Sequence, residues 1–386
     1  MTADNVAGLE IVGAHRAPLQ CGTNLSVTVH QIMTVKLSNS AQKVQDALAA
    51  FGVNCSVVEM PASTRTAKEA AAAIGCEVAQ IAKSIVFRTV AGGIPIIKAL
   101  RDGLAANKFR RVAGILNGTC NYILSTMWNT RKGFDVVLKE AQDLGYAEVE
   151  PSFDVDGIDT AHKLAILTSL AYGSPPAIDK VYVEGIRRVT IRDMEFASEL
   201  GYAIKLLGIS SLSERGLEQR VHPCMVPKDS PLASVPGVTN AIIAEGDAVG
   251  QVMFEGQGAG AGPTASSVVA DIMDIARGVR YKPFTLPAAE LTSVNFAPME
   301  QLRCSYYLRL AVIDRPGVLA EVTDIFRRQH ISMRSFLQHS HRPGETVQLV
   351  LTTHDTMESS MRAAVESIAL LSSVVETPYM IRIENL

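Results

Sequence analysis

At 386 residues, 47% hydrophobic and 19% charged, the chain has material for two or three domains with sizeable cores. No apolar run approaches the about 20 residues that a bilayer crossing needs, and a formal net charge of -3 gives no basic footprint for phosphates. Membrane and nucleic-acid partners are therefore excluded, and a small molecule is expected. The six cysteines, Cys21, Cys55, Cys76, Cys120, Cys224 and Cys304, show no CxxC pair or zinc-type spacing, and residues 1–20 lack the pattern of a secretory signal. Both features point to the cytoplasm.

Residues 1–38 show no sustained period and read as loop, loose strand or ill-defined tail, with Met33 an alternative start. From Ser40 the spacing of Val44, Ala47, Leu48 and Phe51 predicts a helix ending at Gly52. Val57–Met60 reads as a strand, and a helix opens at Ser63. The turn at Gly92-Gly93-Ile94-Pro95 marks a boundary and feeds a helix to about Ala106. Beyond it the pattern predicts a strand over 112–116, helices over 121–128, 134–144 and 159–172, and strands over 181–186, 204–209, 219–225 and 252–255. That is an α+β architecture with a mixed sheet. From Ser305 the order becomes strand, helix, strand, strand, helix, strand, a ferredoxin-like βαββαβ domain.

The densest group of acids lies between Gly145 and Lys163, with Glu148, Glu150, Asp154, Asp156 and Asp159. A helix beginning near Gly157 stacks Asp159 and Lys163, four residues apart, on one face. The rest of that helix is apolar nearly all round, so the pair falls at the edge of a core, where Lys163 can serve as a proton shuttle and the carboxylates can hold an ammonium group. The same spacing also fits a solvated surface pair, and paired carboxylates alone name no reaction. Gly258-Ala-Gly260-Ala-Gly262 ahead of a helix has free N–H groups suited to a phosphate or a nicotinamide amide. It lacks the GxGxxG spacing and the following acid, and fits a tight packing turn equally well. Asn117-Gly118-Thr119 reads first as a helix cap.

The acidic segment resembles the active-site stretch of homoserine dehydrogenases, whose pattern GYxExDPxxDxxGxDxxxK it meets with one departure, Glu150 in place of Asp. The resemblance extends through residues 92–100 (GGIPIIKAL), 114–124 (GILNGTCNYIL), 183–188 (VEGIRR) and 258–265 (GAGAGPTA), nearly all of 90–280. It implies interconversion of L-homoserine and L-aspartate 4-semialdehyde with NAD or NADP, on the route to threonine, methionine and isoleucine. Lys163 is then the acid-base, Glu148, Asp159 and Asp154 hold the substrate, and Gly145, Glu148 and Gly262 contact the cofactor. It also implies a sodium site from the carbonyls of Val90, Gly92 and Ile94, in which the family's glutamate is replaced by Phe87. Losing the charged ligand should weaken such a site.

Residues 1–89 contain no GxG, so this reading finds no nucleotide-binding domain in the chain and leaves its activity alone in question. Residues 39–89 instead resemble the first part of YbaK/ProX-type aminoacyl-tRNA deacylases, with Lys83 at that family's functional lysine. Residues 306–386 resemble an ACT domain, whose Asp314-Arg-Pro-Gly317-Val318 turn implies an amino-acid effector, threonine in this context, at Gly317 and Val318. The expected domains are 1–38, 39–89, a catalytic 90–285, a linker 286–304 and an ACT domain 305–386, in a homodimer or higher homo-oligomer. Rival readings are a non-catalytic amino-acid-sensing or oligomerising protein, and an aminoacyl-tRNA editing protein built on Lys83.

Overall fold

The computed structural model describes residues 92–279, 281–339 and 343–386, with residues 9–11, 42, 45, 46, 49, 50 and 57–59 ahead of them. Lys83, Phe87 and Val90 lie outside the described residues. The chain divides into two compact units, Met1–Val86 with Val268–Arg277, and Phe87–Ser267 with Gly278–Leu386. In the smaller unit β1 (Leu9–Ile11) pairs antiparallel with β2 (Val57–Glu59), and residues 42, 45, 46, 49 and 50 are helical.

The larger unit opens with α1 (Ile96–Lys98), which widens into a π-helical turn over Ala99–Gly103. The expected helix to Ala106 stops there. Strand β3 (Phe109–Ile115) leads to α2 (Gly118–Thr130), α3 (Phe134–Asp143), the one-turn α4 (Ser152–Val155) and α5 (Ile158–Tyr172). Next come β4 (Tyr182–Val183), α6 (Ile191–Glu199), the long hairpin β5 (Tyr202–Ser213) and β6 (Gly216–Pro227), then β7 (Thr239–Gly246), β8 (Gly250–Gln257) and the start of α7 (Ala261–Ala276), whose residues from Val268 on belong to the smaller unit. Strand β4 is shorter than the expected 181–186 because the chain leaves the ladder at Gly185 to press against residues 155 and 156.

The C-terminal module follows as β9 (Arg303–Ile313), α8 (Val318–Arg328), β10 (Met333–Leu337), β11 (Thr346–Thr353), β12 (Thr356–Met357), α9 (Glu358–Ala369) and β13 (Tyr379–Ile383). The short β12 pairs with the first residues of β9. The sheet of this module is continuous with that of the preceding one, in the order β10-β11-β9-β13-β6-β5-β3-β7-β8. The join is parallel, Arg382 opposite Cys224 and Ile383 opposite Met225, and most other pairs are antiparallel, so the sheet is mixed as expected.

Strand alternation sorts the core into layers. Val112, Leu116, Leu206, Val221 and Ile242 face α2, α5 and α6, while their neighbours Ala113, Ile115, Leu207 and Ile243 face the other side. In the C-terminal module Tyr306, Leu308 and Leu310 pack under α8 and α9, and Tyr307, Tyr379 and Ile381 join the larger core. The two modules thus share apolar side chains as well as a sheet. Among the described residues no helix is long and apolar enough to cross a membrane.

Candidate active site

Helix α5 carries the first two functional side chains. It starts at Gly157, whose φ of 86° no branched residue holds without strain, and ends at Gly173 in the left-handed region, whose N–H donates to the Ser169 carbonyl. Its body is buried through Ala161, Leu164, Leu167 and Leu170, which pins the first turn at the rim of the core. There Lys163 Nζ donates to Asp159 Oδ2 at 2.7 Å and to the Leu116 carbonyl at 3.0 Å. The side chains are 22% and 20% exposed, which removes the reading of a solvated surface pair. An ammonium has three donors, and these bonds occupy two. The third has no partner among the described residues.

Asn117, 5% exposed, is the hub of the site. Its Oδ1 accepts the Cys120 N–H at 2.8 Å, the N-cap that the sequence leads one to expect. Its Nδ2 donates to Asp154 Oδ1 at 2.7 Å and to Asp159 Oδ2 at 2.9 Å. One amide therefore holds two carboxylates side by side while anchoring a helix. The carbonyl of the preceding residue, Leu116, takes the lysine. Burial pushes the Asp154 carboxyl above its ordinary range, the Asn117 hydrogen bond opposes this, and the nearby Asp159 charge adds to it. Cys120 donates its S–H to the Asp154 carbonyl, and burial together with the charges of Asp154 and Asp159 pushes its thiol well up, so it stays protonated.

The third carboxylate comes from the loop after α3. Gln142 Nε2 donates to the carbonyls of Glu148 at 2.9 Å and Val149 at 3.2 Å, and Thr119 Oγ1 donates to the Tyr146 carbonyl at 2.7 Å. These bonds fix the loop by its backbone and leave the Glu148 side chain exposed and without a partner among the described residues, near enough to Asp154 for its charge to raise that carboxyl. Glu150, the residue departing from the family pattern, turns away and accepts from the Ser152 N–H and O–H, which hold its carboxyl below the usual range. Gly145 has a φ of 76°, and a Cβ added there meets nothing within 4 Å. The backbone at Gly145 is open to close approach.

The homoserine dehydrogenase family model matches residues 95–273, and the ACT domain model matches 306–369. The chain is 44% identical over 303 residues to the homoserine dehydrogenase of Neisseria gonorrhoeae, covering 77% of this chain and 70% of the relative. It is 46% identical over 297 residues to that of Helicobacter pylori, with the same coverage. The crystal structure of a homoserine dehydrogenase from Thiobacillus denitrificans superposes with a TM-score of 0.73 at 44% identity, covering 83% of this chain and 74% of that one. The chain belongs to the homoserine dehydrogenase family.

Gly258 is a packing glycine, because a Cβ there would stand 2.1 Å from Asn240 Nδ2. Asn240 Nδ2 donates to the Leu116 carbonyl at 3.3 Å, so the glycine turn sits one residue behind the acceptor of Lys163. Gly262 is different. It lies in the first turn of α7, where an added Cβ meets nothing within 4 Å, and the N–H groups of that turn are suited to a polar ligand. Of the carbonyls expected from the resemblance to meet sodium, that of Gly92 accepts from Ser267 Oγ at 2.9 Å and that of Ile94 from the Ile96 N–H at 2.8 Å. A carbonyl has two lone pairs, so each retains one. Gly317 has a φ of 95° and precedes α8, with Val318 as its first, buried residue.

Sequence reasoning did not find the clamp made by Asn117 and the Leu116 carbonyl. The signal available was only that an asparagine, unlike serine or aspartate, can accept and donate at once.

Proposed function

We propose that this chain is an NAD(P)-dependent oxidoreductase of amino-acid biosynthesis that interconverts L-homoserine and L-aspartate 4-semialdehyde, on the route to threonine, methionine and isoleucine. The observation that carries this is the continuous polar chain from the Leu116 carbonyl through Lys163, Asp159 and Asn117 to Asp154. Glu148, Asp154 and Asp159 surround the substrate ammonium with negative charge. Lys163 directs its third N–H at the substrate oxygen, giving the proton when the aldehyde is reduced and accepting it when homoserine is oxidised. Asp159 and the Leu116 carbonyl fix the ammonium head of Lys163 through that exchange.

The residues present fit the nicotinamide end of a cofactor, since Gly145 and Gly262 both offer unobstructed backbone. Gly145, Glu148 and Gly262 would hold it, and bound there it supplies or takes the hydride at the substrate carbon. The described residues offer no glycine-rich cradle for the pyrophosphate, so binding of the whole cofactor is the step to measure. The carbonyls of Val90, Gly92 and Ile94 are the proposed ligands of a weak sodium site. The C-terminal module senses an amino acid, threonine, at Gly317 and Val318, supported by the open left-handed backbone ahead of α8. A cytoplasmic homodimer or higher homo-oligomer suits the buried free thiols Cys120, Cys224 and Cys304 and the edge strands β8 and β10.

Titration of the full chain with NADPH, followed by cofactor fluorescence, should saturate, and aspartate semialdehyde should then be reduced. Lys163→Ala should abolish turnover while NADPH still binds. No saturable binding at millimolar cofactor, or full turnover in Lys163→Ala, would overturn the reading.

A further inference from the structure

Residues 184–188 run behind the substrate segment and grip it at successive points. The Ile186 N–H donates to the Val155 carbonyl at 2.9 Å. At Gly185 the two backbones are so close that a Cβ would stand 2.3 Å from the Val155 oxygen and 2.5 Å from Asp156 Cα. Arg187 forks onto Asp156, with Nε to Oδ1 at 2.5 Å and Nη2 to Oδ2 at 3.1 Å, and the same Nη2 reaches Ser152 Oγ at 2.9 Å. Asp154 lies between these points of attachment. Its backbone therefore moves only as the residues on either side of it move.

Both ends of this stretch are tied to β13 and the residues leading into it. Glu184 Oε2 accepts from Arg382 Nη1 at 2.9 Å and from the Tyr182 hydroxyl at 3.1 Å. Arg382 is 1% exposed and is itself held by Glu358, at 2.9 Å from Nε to Oε2. At the other end Arg188 Nη2 donates to the Pro378 carbonyl at 3.0 Å, and its guanidinium lies 4.8 Å from the Tyr379 ring centroid. A buried, doubly bonded arginine has little freedom to reorient, so Arg382 transmits a shift of β13 to Glu184 without slack.

We propose that residues 184–188 form a strap that positions the substrate segment, with Arg187 as the positioning residue, and that β13 of the C-terminal module sets the strap through Arg382 and Arg188. This rests on the reading of Asp154 and Asp159 as substrate ligands. Arg187 touches neither of them. It holds Ser152 and Asp156, the neighbours of Asp154 on either side, so its loss loosens the carboxylate cluster without removing any member. A displacement of about 1 Å is enough to cost up to about 100-fold where geometry decides the rate.

The test uses the full chain and the variants Arg187→Met, Arg187→Lys and Arg188→Met, all at exposed positions that leave the core intact. Hydrogen exchange is read at the amides of Ile186, Asp156 and Gly157, and L-homoserine affinity by calorimetry. Arg188→Met should speed exchange at Asp156 and Gly157 about tenfold although the bonds of Arg188 go to Pro378 and Tyr379 and not to that segment. Arg187→Met should weaken homoserine binding about five- to tenfold, with partial recovery in Arg187→Lys. Exchange changes confined to residues 187–188 and 377–380 would overturn the link to β13. Unchanged homoserine affinity in Arg187→Met would overturn the positioning role. Failure of the unsubstituted chain to bind homoserine would count against the proposed function, and the exchange measurement would still decide the strap.

Discussion

Replacing Asn117 by serine separates the two tasks of its side chain. A serine hydroxyl still accepts the Cys120 N–H as an N-cap but cannot reach two carboxylates as a donor. Each hydrogen bond to a charged group contributes about 1.5–3 kcal/mol, and Asp154 and Asp159 each lose one. Water replaces part of this at the partly exposed Asp159, so the expected loss of stability at neutral pH is about 2–4 kcal/mol. Asn117→Ala should lose a further amount of about 1 kcal/mol, the capping contribution.

The sign of the pH dependence follows from Asp154. Its folded-state carboxyl already lies above the ordinary value of 3.8, and removing the Asn117 donor raises it further. A raised carboxyl imposes its full penalty above the folded-state value, and the penalty disappears as pH falls through that value toward the unfolded one. The gap between parent and Asn117→Ser should therefore narrow as the solution is acidified. Urea unfolding midpoints measured near neutrality and about two pH units lower would show this. An Asn117→Ser variant within about 0.5 kcal/mol of the parent at both pH values would mean that the amide only caps a helix, and the argument for a carboxylate clamp would fall.

Glu148→Gln should leave stability within about 0.5 kcal/mol of the parent, because the exposed carboxylate has no partner among the described residues, yet weaken homoserine binding about tenfold by calorimetry. Lys205, 6% exposed, has its ammonium pushed down to about 8 by burial, with Asn121 Oδ1 at 3.0 Å and the Val235 carbonyl at 2.6 Å as acceptors. Its charging penalty is whole below that value and vanishes as pH rises toward 10.5, so the parent should gain stability relative to Lys205→Met between pH 8 and 10.5 in paired urea titrations. A pH-independent difference would show that the two carbonyl-type acceptors offset the burial. Gly185→Ala should destabilise by about 3 kcal/mol or more, since the clash is with backbone atoms that cannot swing away. Wild-type thermal stability in that variant would disprove the close approach.

The Gly145–Lys163 segment was legible because its chemistry is contiguous and the Asp159–Lys163 contact follows from helix periodicity alone. The stretches 204–209 and 219–225 likewise mark the inner parts of β5 and β6, both of which run further in the sheet. Strand β7 escaped notice because only four apolar residues, Ala241–Ala244, stand between polar neighbours, although it lies between β3 and β8 in the sheet. Helix α6 was missed despite a usable signal, the reciprocal cap of Thr190 and Asp193. Asp193 also accepts from Arg309 at 2.7 Å and from the Tyr307 hydroxyl at 3.0 Å, contacts that span more than a hundred residues and leave no local trace. The reach of Asn117 to Asp154 and Asp159, 37 and 42 residues away, is hidden for the same reason.

The parallel seam between β13 and β6 bears on how the molecule is made. Arg220 and Glu384 form a buried ion pair across 164 residues of chain, so during synthesis the part of β6 that pairs with β13, at Cys224 and Met225, must wait for the whole C-terminal module to be translated. At about 5–20 residues per second the wait is of the order of ten to thirty seconds. Through that interval β6 presents unpaired backbone at Cys224 and Met225, and Arg220 keeps Glu218 but lacks its second carboxylate, Glu384. The nascent protein is therefore a natural client for chaperones that shield open sheet edges, and slow or stalled translation downstream of β8 should raise its aggregation more than equal delays before β5.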